Sequence, residues 1–288
     1  MEPISSRVFE THGLFSPDRG VEPYLADGVQ ISPFVPSLCV AEPLSGMLRP
    51  RNYAMLLFGR EPQRFIPGAF AIYSAYPGID RTDPFARRVE LPGTLVDQAR
   101  RLQELLDAEV VTLFDKTDRK TPNAEKYPRR ALQEAMVNAL AHRDYELVDP
   151  ARITSYCDRI EFISPGSLPA GIALDDLRTG HVTPRWRNQA LAWFLSRFQL
   201  AQAEGQGIQT IRSTMKAAGC PPPIFDASEA SVTCVLRAHP RFEATARTPS
   251  STRPPRKRRS APRRARPKAR PAAKPRKTQG STGQKRRG

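Results

Sequence analysis

Tyr127-Pro128-Arg129-Arg130-Ala131-Leu132-Gln133-Glu134-Ala135-Met136-Val137-Asn138-Ala139-Leu140-Ala141-His142-Arg143-Asp144-Tyr145 is the stretch that decides the reading of this chain. Tyr127-Pro128 opens a helix, because a proline in a first turn gives up an N–H that had no partner there. Leu132, Met136 and Leu140 recur four apart and make one apolar stripe. Glu134, Asn138 and His142 also recur four apart, two positions out of phase. At about 100° per residue they fall roughly 200° away, on the opposite face. A carboxamide oxygen there can ligate magnesium, which takes oxygen ligands and keeps several waters. The carboxylate one turn earlier can accept a proton from an attacking water. The same spacing also fits a plain solvated face. Small neighbours, Ala135, Ala139 and Ala141, would let a second layer or a ligand come close.

Downstream, Arg152–Cys157 and Arg159–Ile163 read as two strands with a tight turn at Asp158, and Ser164-Pro165-Gly166-Ser167-Leu168-Pro169 breaks the second. Arg185-Trp186-Arg187-Asn188-Gln189 leads into an apolar helix, Ala190–Phe198. Arginines there could contact a phosphate or simply fix the helix start. Glu204-Gly205-Gln206-Gly207-Ile208 opens a helix to about Ala218, and Ser231–Arg237 reads as a closing strand. Glycines at a helix N-terminus bring bare N–H groups and the positive dipole end toward an anion. A G-x-G pair is also a common turn.

Taken in order, E-A-x-x-N-A-x-x-H-R-D-Y, a strand pair ending in S-P-G-x-L-P, R-N-x-x-L-A and E-G-x-G-I resemble the GHKL-type (Bergerat-fold) ATP-binding domain. The likeness spans Phe114 to Ala238. It is to the branch found in bacterial transcriptional regulators and labelled RecG-related. A second resemblance lies upstream, where Asn52–Gln63 and Phe70–Tyr76 are similar to the end of a Schlafen/AlbA-type region. The AlbA-type core that precedes it in such proteins is not recognisable in residues 1–50. The resemblance implies ATP and Mg²⁺ as cofactors, Glu134 as the group activating water, and Asn138 as the magnesium ligand. It also implies nucleotide contacts at Ser164, Gly166, Gly205 and Gly207. In the family an aspartate at the strand end, followed by G-x-G, reads the adenine amino group. Here Ser164-Pro165-Gly166 stands in its place, and a neutral hydroxyl is a poorer match for that amino group.

A helicase motor would need G-x-x-x-x-G-K-[ST], whose amides and lysine hold the phosphates of ATP. That sequence is absent, so this chain is not by itself a helicase motor. A G-x-S-x-G elbow is absent too, which sets aside hydrolase triads. His142 near a helix end reads as a dipole-complementing cap.

From Ala244 to Gly288 the character changes. Of the 45 basic and 29 acidic residues in the chain, 17 basic and no acidic ones lie there, leaving 28 against 29 in residues 1–243. The net charge of +16 is thus the tail's. With little to bury and prolines throughout, the tail is expected to be disordered. Arg256, Lys257, Arg258, Arg259, Arg263, Arg264 and Arg266 form its densest part and are the candidate nucleic-acid contacts. Such arms bind DNA, or RNA, by releasing counterions from phosphates. No aromatic residue lies in the tail, so base stacking is not its mode.

Four regions are expected: 1–45 unassigned, 46–110 an N-terminal module with a linker helix (Thr94–Val110), 111–243 the ATP-binding domain, and 244–288 the tail. The fold class is α/β, a two-layer sandwich with a mixed, mostly antiparallel sheet. Four cysteines without paired spacing fit reduced thiols rather than zinc. The N-terminus has no signal pattern, and no run approaches a membrane span. The expected role is an ATP-binding, DNA-associated transcriptional regulator in the bacterial cytoplasm, at the nucleoid. An active Mg-dependent ATPase and a non-catalytic DNA-binding scaffold are the competing classes. Oligomeric state is open, a homo-oligomer included.

Overall fold

In the computed structural model, residues 27–82, 87–113, 123–181, 183–200 and 206–242 are described, all within the unit Met1–Pro249. A small hairpin, β1 (Cys39–Ala41) and β2 (Leu48–Pro50), leads into helix α1 (Asn52–Phe58) and a 3₁₀ turn at Pro62–Arg64. Strands β3 (Ala71–Ala75) and β4 (Arg87–Leu91) follow, then helix α2 (Leu95–Asp107). Thr94 starts α2 with a capping box: its hydroxyl accepts from the Asp97 N–H at 3.2 Å, and the Asp97 carboxylate accepts from the Thr94 N–H at 3.3 Å. A two-stranded ribbon, β5 (Thr112–Leu113) with β6 (Ala124–Glu125), precedes the long central helix α3 (Arg129–Ala141). Pro128 is the N-cap of α3 rather than part of its first turn. Next come β7 (Ala151–Ser155), β8 (Arg159–Pro165), α4 (Leu174–Thr179), α5 (Gln189–Arg197), α6 (Gly207–Ala217), β9 (Ile224–Ala227) and β10 (Ser231–Arg237).

Six strands make one sheet in the order β4-β3-β7-β8-β10-β9. Only β3 and β7 run parallel; every other neighbour pair is antiparallel. This is the mixed, mostly antiparallel sheet of an α/β fold. Strands β3 and β4 therefore share a sheet with β7, β8, β9 and β10. A half-buried polar knot joins them: Tyr73 Oη and Ser155 Oγ donate to Glu109 Oε1 at 2.9 and 2.8 Å, and Lys126 pairs with Glu109 Oε2 at 3.1 Å.

Register sorts the side chains. Ile160, Phe162 and Ser164 of β8 stand beside Leu236, Cys234 and Val232 of β10. These face the helices, while Arg159, Glu161 and Arg237 lie on the other side, as period-two alternation requires. Helix α3 packs on β7 and β8 and is flanked by α2, α5 and α6. Leu132, Met136 and Leu140 are buried as the stripe predicts, and so are Ile153, Phe162 and Leu236 beneath them. The Phe58 and Phe194 rings meet edge to face at 5.4 Å, tying α1 to α5. Among the described residues no helix is long and apolar enough to cross a membrane.

Candidate functional site

Two out-of-phase stripes on α3 have a consequence once the helix is buried on both sides. Its polar face is covered as well, and Glu134, only 5% exposed, is left inside the protein. Asn138 is half-buried one turn later, and its Nδ2 is fully buried with no hydrogen-bond partner among the described residues. Such orphaned groups are uncommon in interiors and call for an explanation. Both side chains open into a cavity of about 120 Å³ between α3, the β8–β10–β9 strands and the first turn of α6.

Gly207 supplies the third element. A Cβ built there would lie 2.9 Å from Glu134 Oε2 and 3.2 Å from Asn138 Nδ2, so any side chain at this position would push the ends of Glu134 and Asn138 aside. Gln206, the N-cap, makes no side-chain cap. The first N–H groups of α6 thus stay without intrahelical partners, beside the carboxylate and the carboxamide. A carboxylate, a carboxamide and a helix N-terminus are the donors and acceptors that a hydrated magnesium ion and a phosphate chain need. Among the described residues no cluster of three or more His, Cys, Asp or Glu could hold a metal by itself. Asn138 and Glu134 would therefore hold magnesium only together with water and phosphate oxygens.

Burial pushes the Glu134 carboxyl above the usual carboxylate range, and Arg130 nearby only partly opposes this. The folded chain consequently holds that proton more tightly than the unfolded chain. Stability from this group is present at low pH and is lost as the pH rises through the raised pKa. Glu134→Gln should therefore melt a few degrees above the parent at pH 7, with the gain shrinking as the pH falls toward 4. Thermal melts across that range check it; a variant less stable than the parent at pH 7 would show that the carboxylate is well accommodated.

Ser164 lies at the end of β8, 6% exposed, and its hydroxyl donates to the Ala139 carbonyl at 2.9 Å. With its proton committed, the oxygen offers lone pairs to the cavity. Gly166 is not a lining residue. Its φ of +102° and a Cβ position 2.6 Å from Asp144 Cβ mark it as a close-packed turn, its N–H bonded to Ala230 O at 2.8 Å. Gly205 and the tail residues Arg256, Lys257, Arg258, Arg259, Arg263, Arg264 and Arg266 lie outside the described residues.

The His142–Tyr145 run is a junction. Burial drives the His142 imidazole down to about 4, so it is neutral and cannot complement the helix dipole as a charge. Its ring stacks on Trp186 at 4.9 Å, 16° from parallel. Arg143, 1% exposed, donates from Nη2 to Leu147 O at 3.1 Å and Asp149 O at 2.5 Å, and lies over the Tyr145 ring. Asp144 pairs with Arg187 at 3.1 Å, and Arg187 also donates to Ser167 O at 2.7 Å. Asn188 donates to Ala141 O at 2.9 Å and Arg143 O at 2.7 Å, capping the end of α3. Arg187 and Asn188 are thus spent on the end of α3 and the loop after β8, and Asn188 makes no side-chain cap at the start of its own helix α5. Arg185, exposed on the cavity wall, donates to Ala170 O at 3.1 Å and pairs with no acid among the described residues.

Sequence reasoning missed the apolar lining: Phe162, Leu168, Ile172, Leu177, Phe225 and Val232. Strand parity from Ser164 could have found Phe162, but the rest depend on pairings far apart in sequence. Cys234 also faces the cavity, with burial pushing its thiol up to about 12, so it carries no thiolate chemistry there.

Comparison with known proteins follows the same ground. A family model described as "Putative ATP-dependent DNA helicase recG C-terminal" matches residues 149–236, the segment from the start of β7 through β10. The match to this ATPase-like domain family thus covers β7 to β10, α4, α5 and α6 around the cavity, and leaves α3 with Glu134 and Asn138 outside it. Among solved structures, the DIP2311 protein from Corynebacterium diphtheriae is similar, with 19% identity and a TM-score of 0.58. That alignment covers 83% of this chain and 45% of the other, so this chain spans less than half the length of that relative. At this identity the likeness is one of fold. A search of curated proteins gives no match.

Proposed function

We propose that the cavity binds ATP with Mg²⁺ and that the protein is a DNA-associated regulator, a GHKL-type member of the ATPase-like group, acting at the bacterial nucleoid. One observation carries the nucleotide reading: Glu134, the Asn138 amide, whose nitrogen has no partner among the described residues, and the α6 N-terminus, which Gln206 does not cap, converge at Gly207. In this reading the α6 amides hold phosphate oxygens and Asn138 supplies an oxygen ligand to magnesium. Glu134 stands beside them, where a water attacking the terminal phosphate would lose its proton. Bound magnesium would neutralise phosphate charge. The basic tail, Arg256 to Arg266 above all, contacts nucleic-acid phosphates without reading sequence.

Saturating Mg-ATP tests the nucleotide reading. At one hundred times its Kd a ligand stabilises the fold by about 2.7 kcal/mol. For a chain of this size that amounts to a rise of about 5–10 °C in melting temperature. No rise at any ATP concentration would remove the proposal.

The ATPase reading is favoured by a second observation, the upward push on Glu134, which moves it toward the range of a useful general base. If Glu134 is that base, Glu134→Gln keeps ATP affinity and loses turnover by ~100-fold or more. A parent that binds ATP and hydrolyses none above background leaves the sensor reading alone.

Gly207→Ala separates the pocket from the fold. Alanine is a better helix residue by up to about 1 kcal/mol, so the variant should stay folded. Its methyl group must displace Glu134 and Asn138, and ATP affinity should fall by at least about 10-fold, the lower end for groups that orient ligands. Unchanged affinity would place the phosphates elsewhere.

A further inference from the structure

The phosphate end of the cavity is defined by Gly207, Glu134 and Asn138. His142 lines the same cavity one turn further along α3. Four residues of helix advance about 6 Å, enough to carry a ligand from its phosphates toward its base. The polar groups around that end are unusual for a site that reads a nucleobase. No acid among the described residues lines it, since Glu134 is at the other end and Asp144 is held by Arg187. Phe162, Leu168, Ile172 and Val232 line it with apolar side chains, while Arg185 and Trp186 line the cavity as donors only and so cannot accept from a base's amino group. Ser164 Oγ has spent its proton on Ala139 O and can only accept. His142 is clamped flat against Trp186, and its ring nitrogens make no hydrogen bond to a described residue.

We propose that His142 is the residue that determines base specificity, donating a ring N–H to the N1 acceptor of adenine while Ser164 accepts from the adjacent amino group. The inference rests on the nucleotide reading above and adds the base-reading residue. Held neutral by burial, the imidazole keeps one donor and one acceptor nitrogen rather than two donors. Stacking on Trp186 fixes the ring plane, so the N–H direction is set before a ligand arrives. A guanine in the same place presents a carbonyl oxygen to Ser164, acceptor against acceptor. Its unpaired groups would be buried among apolar walls, and sites built in this way reject mismatched edges.

The test uses the full chain with ATP and 1-deaza-ATP, in which the N1 acceptor is replaced by C–H. The parent should bind ATP about 10-fold more tightly than 1-deaza-ATP. His142→Phe keeps a flat ring against Trp186 and should bind both equally, at the parent's 1-deaza-ATP affinity. Equal binding of the two ligands by the parent overturns the proposal, as does undiminished discrimination in His142→Phe. Should that variant fail to fold, the His142 imidazole nitrogen resonances of the parent decide: they should shift with ATP and stay at the free position with 1-deaza-ATP. Equal shifts with both ligands overturn the assignment. A parent that binds neither ligand overturns the nucleotide reading itself, a different result from binding both alike.

Discussion

Asn138→Ala is expected to lower affinity for Mg-ATP at least about 100-fold, because even groups that only orient a metal's ligands cost 10–100-fold when removed. The apo protein should melt within a few degrees of the parent. That second expectation follows from the structure. The Asn138 Nδ2 has no partner among the described residues, so alanine breaks no side-chain hydrogen bond there and relieves a buried orphan. Its neighbours Val137 and Ala139 are already buried and are untouched by the change. The two readouts together distinguish a ligand from a core residue. A core residue would cost stability; a ligand costs affinity and spares it. A variant that binds Mg-ATP like the parent would mean the cavity is assigned to the wrong chemistry.

Truncation before Ala244 is expected to have the larger effect on DNA. It removes 17 positive charges, and the remaining 28 basic and 29 acidic side chains leave the body about neutral. Intact protein should bind duplex DNA with log affinity falling steeply against log salt. If about 6 to 10 charges touch phosphates at once, the slope should be roughly −5 to −9. Scrambling the DNA sequence should change little, because phosphate contacts carry no base information. The truncated body should lose most of this binding. Retained affinity with discrimination between sequences would move the DNA-reading surface into the N-terminal module.

Part of this is legible in the sequence. The α3 boundaries follow from Pro128 and the Leu132–Met136–Leu140 stripe, since a four-residue repeat between a proline and a polar junction has few other solutions. Strand β10 runs from Ser231 to Arg237 as read, and the β7–β8 hairpin turns at Asp158. What could not be read is long-range. The parallel pairing of Ala71–Ala75 with Ala151–Ser155 joins segments some eighty residues apart, and nothing local encodes it. The same holds for the closeness of Gly207 to Glu134: a G-x-G run shows a turn or an anion site equally well until a second helix is placed against it. The His-Arg-Asp-Tyr run invited attention to its histidine and acid. Its least exposed member is Arg143, whose role depends on carbonyls at Leu147 and Asp149 that no motif records. The apolar cavity lining was indistinguishable from core, because side chains at a pocket floor obey the same alternation as those beneath a helix.

The central claim is that Glu134, Asn138 and the α6 N-terminus form a magnesium-dependent nucleotide site. Calorimetric titration of the full chain with ATP, with magnesium and then with a chelator, tests it most directly, in salt high enough to screen the tail. The account predicts saturable binding at one site with magnesium, weakened at least about 10-fold without it, and the loss of that difference in Asn138→Ala. Absence of one-site binding, or binding indifferent both to magnesium and to Asn138, would contradict it.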